Sequence, residues 1–264
     1  MPKRLSAVVA AIVTGTAAGF IGVGGGEFRI PVLVDWLRLP LKAAGAVNLL
    51  IGLFTVALSI YRRGGLKATT TDDLALIAVM GTVSLIGAPL GSYLRDTVPR
   101  KPLKIAICVY LGLIGVWMLY ESIFHREHIL FAPDGYERLI LAAVVAFPIA
   151  AISGVLGVAG GEMRIPALMY LFGLPITVAG TLSLAVSLPT LAAGIFTDRR
   201  MGSLSNEFLR VGVLMGVASA GGVLIGAALI PYANRDHIKG VLGVILLLST
   251  WHMVTTPDRE KLSK

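Results

Sequence analysis

Long apolar runs alternate with short polar segments along the whole chain. Eight of these runs carry almost no charge. Most have close to the ~20 residues that a helix needs to cross ~30 Å of hydrocarbon. Because every backbone N–H and C=O must be paired inside hydrocarbon, the pattern predicts that the runs are helices. The runs are Leu5–Val23, Ala43–Tyr61, Leu74–Leu94, Ile105–Tyr120, Leu139–Val158, Ile176–Thr197, Val211–Ile230 and Val241–Val254.

Some apolar stretches are shorter than a full span. The runs at 105–120 and 241–254 need flanking residues to complete a crossing, and the stretches at 30–39 and 165–174 are too short to cross alone. The first run follows a basic start, as the core of a signal peptide does. It is longer than such a core usually is and seven more runs follow it, so we expect a retained first helix.

The same order of apolar runs occurs in both halves of the chain. Residues 19–33 read GFIGVGGGEFRIPVL and residues 154–168 read GVLGVAGGEMRIPAL, with ten of fifteen positions identical and no gap. Leu-Pro and Arg-Arg-x-Gly elements recur farther along both halves. The sequence therefore predicts two homologous membrane repeats, 1–120 and 138–264, joined by the polar segment 121–137.

The relative orientation of the halves depends on the short stretch in each. If this stretch enters the membrane and returns to the same side, each half has four crossings and the halves are parallel. If it crosses, each half has five crossings and the halves are inverted. With the N-terminus inside, the five-segment arrangement places most basic loop residues inside and leaves Arg62, Arg63 and Lys67 outside. We favour the inverted arrangement, which is a common transporter plan.

The predicted fold class is thus an all-α integral membrane protein of two repeats, with four to five membrane segments each and helices broken at Gly-rich motifs. Composition supports this class, because 56% of residues are hydrophobic and only 14% are charged, against ~25% in soluble domains. The net charge of +8 comes from basic residues in short loops, which is typical of a multi-pass protein of the cell membrane and does not indicate nucleic acid binding. The single Cys108 excludes a disulfide within the chain.

Three small residues in succession end the first full-length run of each half, and a Glu-x-Arg-x-Pro sequence follows them. Such small residues break a helix at low cost, and Pro is tolerated in the first turn of a new helix. The motif therefore predicts a helix, a break and a short helix whose free N–H groups and positive dipole end face the break, an arrangement that binds anions. The candidate substrate-binding residues are Gly24, Gly25, Gly26, Arg29, Gly160, Gly161 and Arg164.

The charged residues of this motif lie between apolar runs. A charge at the bilayer centre costs ~2.5–3.5 kcal/mol or more, so Arg29 and Arg164 are expected to line a polar cavity or to have partners. The planar guanidinium suits carboxylate, sulfonate or phosphate oxygens. Glu27 and Glu162 are local counter-charges, or proton acceptors if transport is coupled to protons or another ion. Two alternatives stay open: the glycines serve close helix packing alone, and each Glu-x-Arg is a structural ion pair.

Three further polar residues are candidates to line a path, namely Asn48, Thr181 and Ser183, although hydrogen bonding within or between helices is the favoured interpretation for them. Sequence motifs of hydrolases, zinc peptidases and Walker-type ATPases are not found in the chain. We therefore predict no enzyme activity, no cofactor and no metal site. The expected partners are a small anion and the lipid bilayer, and the oligomeric state is left open.

The paired Gly-rich elements resemble those of the sulfite exporter TauE/SafE family, also called the toluene sulfonate uptake permease family. The residues that carry this resemblance are Gly22, Gly24, Gly25, Gly26, Pro31, Gly157, Gly160, Gly161 and Pro166, with Leu39-Pro40 and Leu174-Pro175 downstream. The resemblance covers essentially the whole chain. It implies a permease for small sulfur-containing anions such as sulfite and organosulfonates, driven by an ion gradient. The family usually has apolar residues between the glycines and the proline, where this chain carries Glu and Arg.

The predicted function is a secondary transporter for a small anion, with a sulfur oxyanion or organosulfonate as the expected class. The anion is expected to bind between the two broken-helix motifs. The alternatives are a channel, a membrane subunit of a larger complex, or an intramembrane enzyme.

Overall fold

The computed structural model describes residues 2–65, 69–125 and 128–255, and the side chains at 2–6, 27, 28 and 100 lie outside the description. Most of the described residues are helical, and none of them lies in a strand. The helices are α1 Pro2–Ile21, α2 Gly26–Pro31 with a π-helical continuation Val32–Trp36, α3 Leu41–Arg62, α4 Thr71–Leu94, α5 Arg100–Phe124, α6 Gly135–Leu156, α7 Gly161–Phe172, α8 Ile176–Arg200, α9 Asn206–Leu229 with a 3₁₀ turn Ile230–Tyr232, and α10 Arg235–Thr255.

Seven helices in the described part of the chain are long and apolar enough to cross a membrane: α3, α4, α5, α6, α8, α9 and α10. The chain is therefore a multi-pass integral membrane protein. The short predicted runs at 105–120 and 241–254 are extended by flanking residues into α5 and α10. The described apolar part of α1, Ala7–Ile21, is shorter than a full span.

Helices α3 and α8 form the centre of the bundle, and more of their residues are buried than in the other spans. Helix α1 packs against α9, and α6 packs against α4. Glycines allow these close contacts, because a Cβ on Gly226 would overlap the carbonyl oxygen of Thr16 and a Cβ on Gly91 would overlap that of Ala151. Close backbone approach at small residues is the usual way in which helices associate in a membrane.

The helices that the sequence repeat pairs run in opposite directions. The side chain of Arg95 joins the start of α3 to the end of α8. It donates to the Lys42 carbonyl (3.5 Å) and to the Asp198 carboxylate (3.2 Å). Just beyond the end of α3, Nη1 of Arg63 lies 3.3 Å from the position of a Cβ on Gly180, near the start of α8. Helices α3 and α8 are therefore antiparallel.

Helices α5 and α10 form a second antiparallel pair at the side of the bundle. A Cβ on Gly115 would lie 3.1 Å from the carbonyl oxygen of Gly243, and a Cβ on Gly240 would lie 2.6 Å from the hydroxyl oxygen of Ser122. Residue numbers thus rise along one helix as they fall along the other.

Candidate functional site

The two Gly-rich motifs interrupt the helices in the same way. Helix α1 ends at Ile21 and α2 begins at Gly26, while α6 ends at Leu156 and α7 begins at Gly161. The residue before each new helix has a left-handed backbone, with φ of 64° at Gly25 and 74° at Gly160. A side chain at these positions would clash with its own backbone, so glycine is the residue that allows the break.

The two breaks touch each other. A Cβ on Gly24 would lie 2.5 Å from the Cβ of Ala159, and a Cβ on Gly161 would lie 3.3 Å from the Cα of Val23. These four residues are buried. The structure therefore brings together two segments that are more than a hundred positions apart in the chain.

The prediction that the prolines lie in the first turn of the new helices is wrong. Pro31 and Pro166 are the sixth residues of α2 and α7, because each helix already begins at the last glycine of its motif. A proline at this place lacks an N–H for the carbonyl four residues earlier, which belongs to Glu27 or Glu162. In the first half the helix then widens into the π-helical turn Val32–Trp36.

Arg29 is fully buried and all three nitrogens of its guanidinium are hydrogen-bonded. Nε donates to the Gly25 carbonyl (3.0 Å), Nη2 donates to the Gly24 carbonyl, and Nη1 donates to the Thr55 hydroxyl (3.1 Å). Thr55 in turn contacts the Ser219 hydroxyl at 2.9 Å. Arg29 therefore binds two carbonyl groups of its own break and joins them to Thr55 of α3.

Arg164 is also fully buried but uses fewer of its donors. Nη1 donates to the Ser187 hydroxyl (2.8 Å), to the Ser183 carbonyl (3.2 Å) and to the Ala159 carbonyl (3.5 Å). Its Nε and Nη2 have no hydrogen-bond partner among the described residues. Arg164 thus combines a capping contact with two donors that are free for another group.

Glu162 is buried beside both arginines. Its carboxylate interacts electrostatically with Arg29 and Arg164. Within the described part of the chain, neither carboxylate oxygen has a hydrogen-bond partner. The side chain of Glu27 lies outside the description, so the predicted counter-charge role of that residue stays a prediction.

The three polar residues that were candidates to line a path lie in different places. Asn48 of α3 donates to the Gly157 carbonyl (2.7 Å), and its amide oxygen is unpaired among the described residues. Ser183 of α8 is buried, and its hydroxyl lies 3.5 Å from a Cβ placed on Gly161. Thr181 bonds the Thr177 carbonyl of its own helix (3.0 Å) and takes no part in these contacts.

Around the meeting point of the breaks, the described side chains provide unsatisfied donors and acceptors. The carriers of these atoms are Arg164, Glu162, Asn48 and Ser183. Two guanidinium groups and one carboxylate give the described part of the site a net positive charge. Buried polar atoms without partners are costly, so they mark a place for water or a ligand, and the charge balance favours an anion.

Two arginines outside the motif hold the helices that precede the breaks. Arg63 donates to the Phe20 carbonyl at the end of α1 (2.8 Å), and Arg95 donates to the Gly154 carbonyl near the end of α6 (2.8 Å). Arg95 is buried and also pairs with buried Asp198 (3.2 Å). The sequence analysis placed Arg63 among the basic loop residues, and nothing in the spacing of the two arginines shows that they reach the helix ends.

Comparison with known proteins agrees with the resemblance seen in the sequence. The family model "Sulfite exporter TauE/SafE" matches residues 7–253. The chain is 25% identical over 268 residues to "Probable membrane transporter protein YunE" of Bacillus subtilis (strain 168), covering 91% of this chain and 93% of that protein. It is 35% identical over 126 residues to "Probable membrane transporter protein" of Xylella fastidiosa (strain 9a5c), covering 46% of each. No solved structure matches the chain significantly.

Proposed function

Because the chain belongs to the sulfite exporter TauE/SafE family and is a membrane transporter of that type, we propose that it carries a small sulfur-containing oxyanion or organosulfonate as a secondary transporter. In this proposal the anion binds where the two helix breaks meet. The substrate-binding residues are Gly24, Gly25, Gly26, Arg29, Gly160, Gly161 and Arg164.

The observation that carries the proposal is the pair of unused donors on Arg164. Nε and Nη2 have no hydrogen-bond partner among the described residues, although the side chain is fully buried. These two nitrogens lie on one edge of a planar guanidinium, which matches two oxygens of a sulfite or sulfonate group. An oxyanion in this place satisfies donors that would otherwise remain unpaired.

The start of α7 adds to the attraction for an anion. The first N–H groups of this helix, beginning at Gly161, have no carbonyl partner within their own helix. The positive end of the helix dipole lies at the same place. Ser183 offers a hydroxyl nearby, and Arg29 contributes its charge while its hydrogen bonds hold the break.

The opposite directions of α3 and α8, and of α5 and α10, support transport by alternating access. Inverted repeats that meet at a central site can expose that site to either side by movement of one half against the other. Direct coupling to ATP hydrolysis by this chain is not expected, since the sequence has no Walker motif.

The test is uptake of radiolabelled sulfite, sulfoacetate and sulfate into proteoliposomes, with and without a proton gradient. We expect saturable uptake of at least one of these anions. Arg164→Ala should lower uptake at limiting substrate about tenfold or more, since a hydrogen bond to a charged group contributes ~1.5–3 kcal/mol. Arg210→Ala removes an exposed arginine of α9 and should leave uptake unchanged.

The other outcomes separate the alternative functions. Flux that rises linearly with concentration and shows no countertransport would indicate a channel. No flux of any sulfur anion, in vesicles shown to be tight, would overturn the sulfur-anion proposal and favour an unrelated substrate or a subunit role. Uptake that is unchanged in Arg164→Ala would place the substrate elsewhere.

A further inference from the structure

Glu162 is a buried acid whose charge the surrounding hydrogen bonds do not satisfy. The residue is 1% exposed, and neither carboxylate oxygen has a hydrogen-bond partner among the described residues. Other buried acids in the bundle are bonded: Glu121 accepts from Tyr170 (3.2 Å), and Asp198 accepts from Arg95 (3.2 Å). A buried carboxylate without hydrogen bonds is costly unless water, a ligand or a proton satisfies it.

Among the described residues, two arginines and three hydroxyl groups lie around the start of α7, where Glu162 is the second residue. Arg29 on α2 and Arg164 on α7 interact with it electrostatically. Helix α5 presents the Tyr110 hydroxyl, which donates to the Met163 carbonyl (3.1 Å). Helix α8 presents the hydroxyl of Ser183, and α6 presents that of Ser153, next to Gly160.

The carboxylate therefore shares its two cationic neighbours with any anion that binds at the breaks. When Glu162 is charged, it is itself the anion beside the guanidinium groups. When Glu162 is protonated, this attraction is lost, so the oxyanion is attracted by the positive charge of both arginines and can bind the two unused donors of Arg164. Charged Glu162 and a bound oxyanion thus weaken each other, whereas a proton and an oxyanion strengthen each other's binding by thermodynamic linkage.

We propose that Glu162 is the proton-binding residue that couples movement of the anion to movement of a proton in the same direction. This inference rests on the proposed anion site. In the coupling step a hydronium ion gives its proton to a carboxylate oxygen: one O–H bond of the hydronium breaks, an O–H bond to the carboxylate forms, and water is released. The reverse occurs on the other side. No other bond changes and no group is oxidised.

The charge balance fits such cotransport. The empty site holds two guanidinium groups and one carboxylate, so the described side chains carry one net positive charge. After binding of a proton and a monoanion the charge is the same, and after binding of a proton and a dianion it is zero. The described side chains and their load thus carry no net negative charge in either case, which keeps their contribution to the cost of the loaded state low inside hydrocarbon.

The experiment compares Glu162→Gln with wild type in two assays in proteoliposomes. The first is accumulation of radiolabelled sulfite driven by an inward proton gradient. The second is exchange of internal for external sulfite without a gradient. Glutamine resembles the protonated acid, so we expect exchange within about threefold of wild type and loss of at least tenfold in gradient-driven accumulation. Glu137→Gln changes an exposed acid of α6 and should affect neither assay.

Accumulation by Glu162→Gln that still follows the proton gradient would overturn this inference and leave the anion site standing. Loss of activity in both assays, together with a lowered thermal midpoint, would indicate a structural role for Glu162 and would also overturn the inference. No saturable uptake by wild type would overturn the anion proposal itself. If Glu162→Gln does not fold, Glu162→Asp must shift the pH of half-maximal accumulation, and an unchanged pH profile would contradict the inference.

Discussion

At the scale of single residues, the two arginines of the repeated motif are alike in sequence but not in surroundings. All nitrogens of the Arg29 guanidinium are bonded, two of them to carbonyl groups of its own break. Arg164 bonds through one nitrogen and leaves two without partners among the described residues. We therefore expect Arg29 to matter more for the stability of the break and Arg164 more for binding of the anion.

Thr55 provides a test of the structural role on the Arg29 side. Its hydroxyl accepts from Arg29 (3.1 Å) and contacts the Ser219 hydroxyl (2.9 Å), so Thr55→Val leaves a buried guanidinium donor unpaired. We expect a loss of about 1–3 kcal/mol in stability, measured as a lower thermal midpoint in detergent, with sulfite exchange retained in folded protein. Thr82→Val is the matched control, because that hydroxyl is exposed and bonds only within its helix (2.7 Å). Equal midpoints for both variants would contradict the role assigned to Thr55.

At the scale of elements, packing depends on where the glycines of each helix lie. Gly221 and Gly222 are neighbours in α9, yet a Cβ on Gly222 would overlap the Ile12 carbonyl of α1, whereas a Cβ on Gly221 would meet nothing within 4 Å. The sequence repeat matches Gly222 with Gly87 and Gly221 with Ile86, but it does not show which helix Gly222 contacts.

Alanine substitutions at this pair test the packing of α1 against α9. Gly222→Ala should lower stability by about 1–3 kcal/mol, because the added methyl group forces the helices apart. Gly221→Ala should be neutral or slightly stabilising, since alanine favours a helix more than glycine does. Thermal midpoints of the two purified variants, measured side by side, decide between these expectations. A larger loss for Gly221→Ala would mean that α1 does not pack on this face of α9.

The peripheral pair α5 and α10 is joined to the bundle by a buried polar cluster. Glu121 of α5 pairs with Lys239 of α10 (3.5 Å) and accepts from Tyr170 of α7 (3.2 Å) and Trp117 (3.2 Å). Breaking one partner of a buried ion pair usually costs ~3–5 kcal/mol, so this cluster fixes α7, which begins at the break, against the outer helices.

At the scale of the whole molecule, the antiparallel pairs α3/α8 and α5/α10 support inverted halves. The ends of the bundle differ in their ion pairs, however. Arg95 and Asp198 form a buried pair at the end where α3 begins, and Lys42 pairs with Asp96 nearby (2.6 Å). At the other end Arg63 binds helix carbonyls. The two ends of the bundle are thus held by different contacts.

Cysteine labelling tests the inverted arrangement in a membrane. Arg62 at the end of α3 and Arg199 near the end of α8 are matched by the sequence repeat, and both side chains are exposed. In a Cys108→Ala background, a membrane-impermeant maleimide should label Arg62→Cys in intact cells and Arg199→Cys only after permeabilisation, since α3 and α8 are antiparallel. Labelling of both from the same side would contradict inverted halves.

Much of this organisation could be predicted from the sequence. The long uncharged runs determine helices and membrane location, because hydrocarbon tolerates neither exposed backbone polar groups nor charged side chains. The duplicated motif determines where helices are interrupted and that two such places exist. The apolar runs did not determine the lengths of all helices, since the helices of the shorter runs extend into flanking polar residues such as Arg100 and Arg235.

The tertiary structure alone decided which of these residues meet. That Gly24 contacts Ala159, that Arg164 keeps free donors while Arg29 does not, and that Arg95 reaches Asp198 depend on how helices distant in the chain pack. Hydrophobic periodicity gives little information about which face of a helix is buried, because in lipid both the buried and the exposed faces are apolar. Local composition therefore determines that a segment spans the membrane, whereas close backbone packing and the need to pair buried polar atoms determine its neighbours.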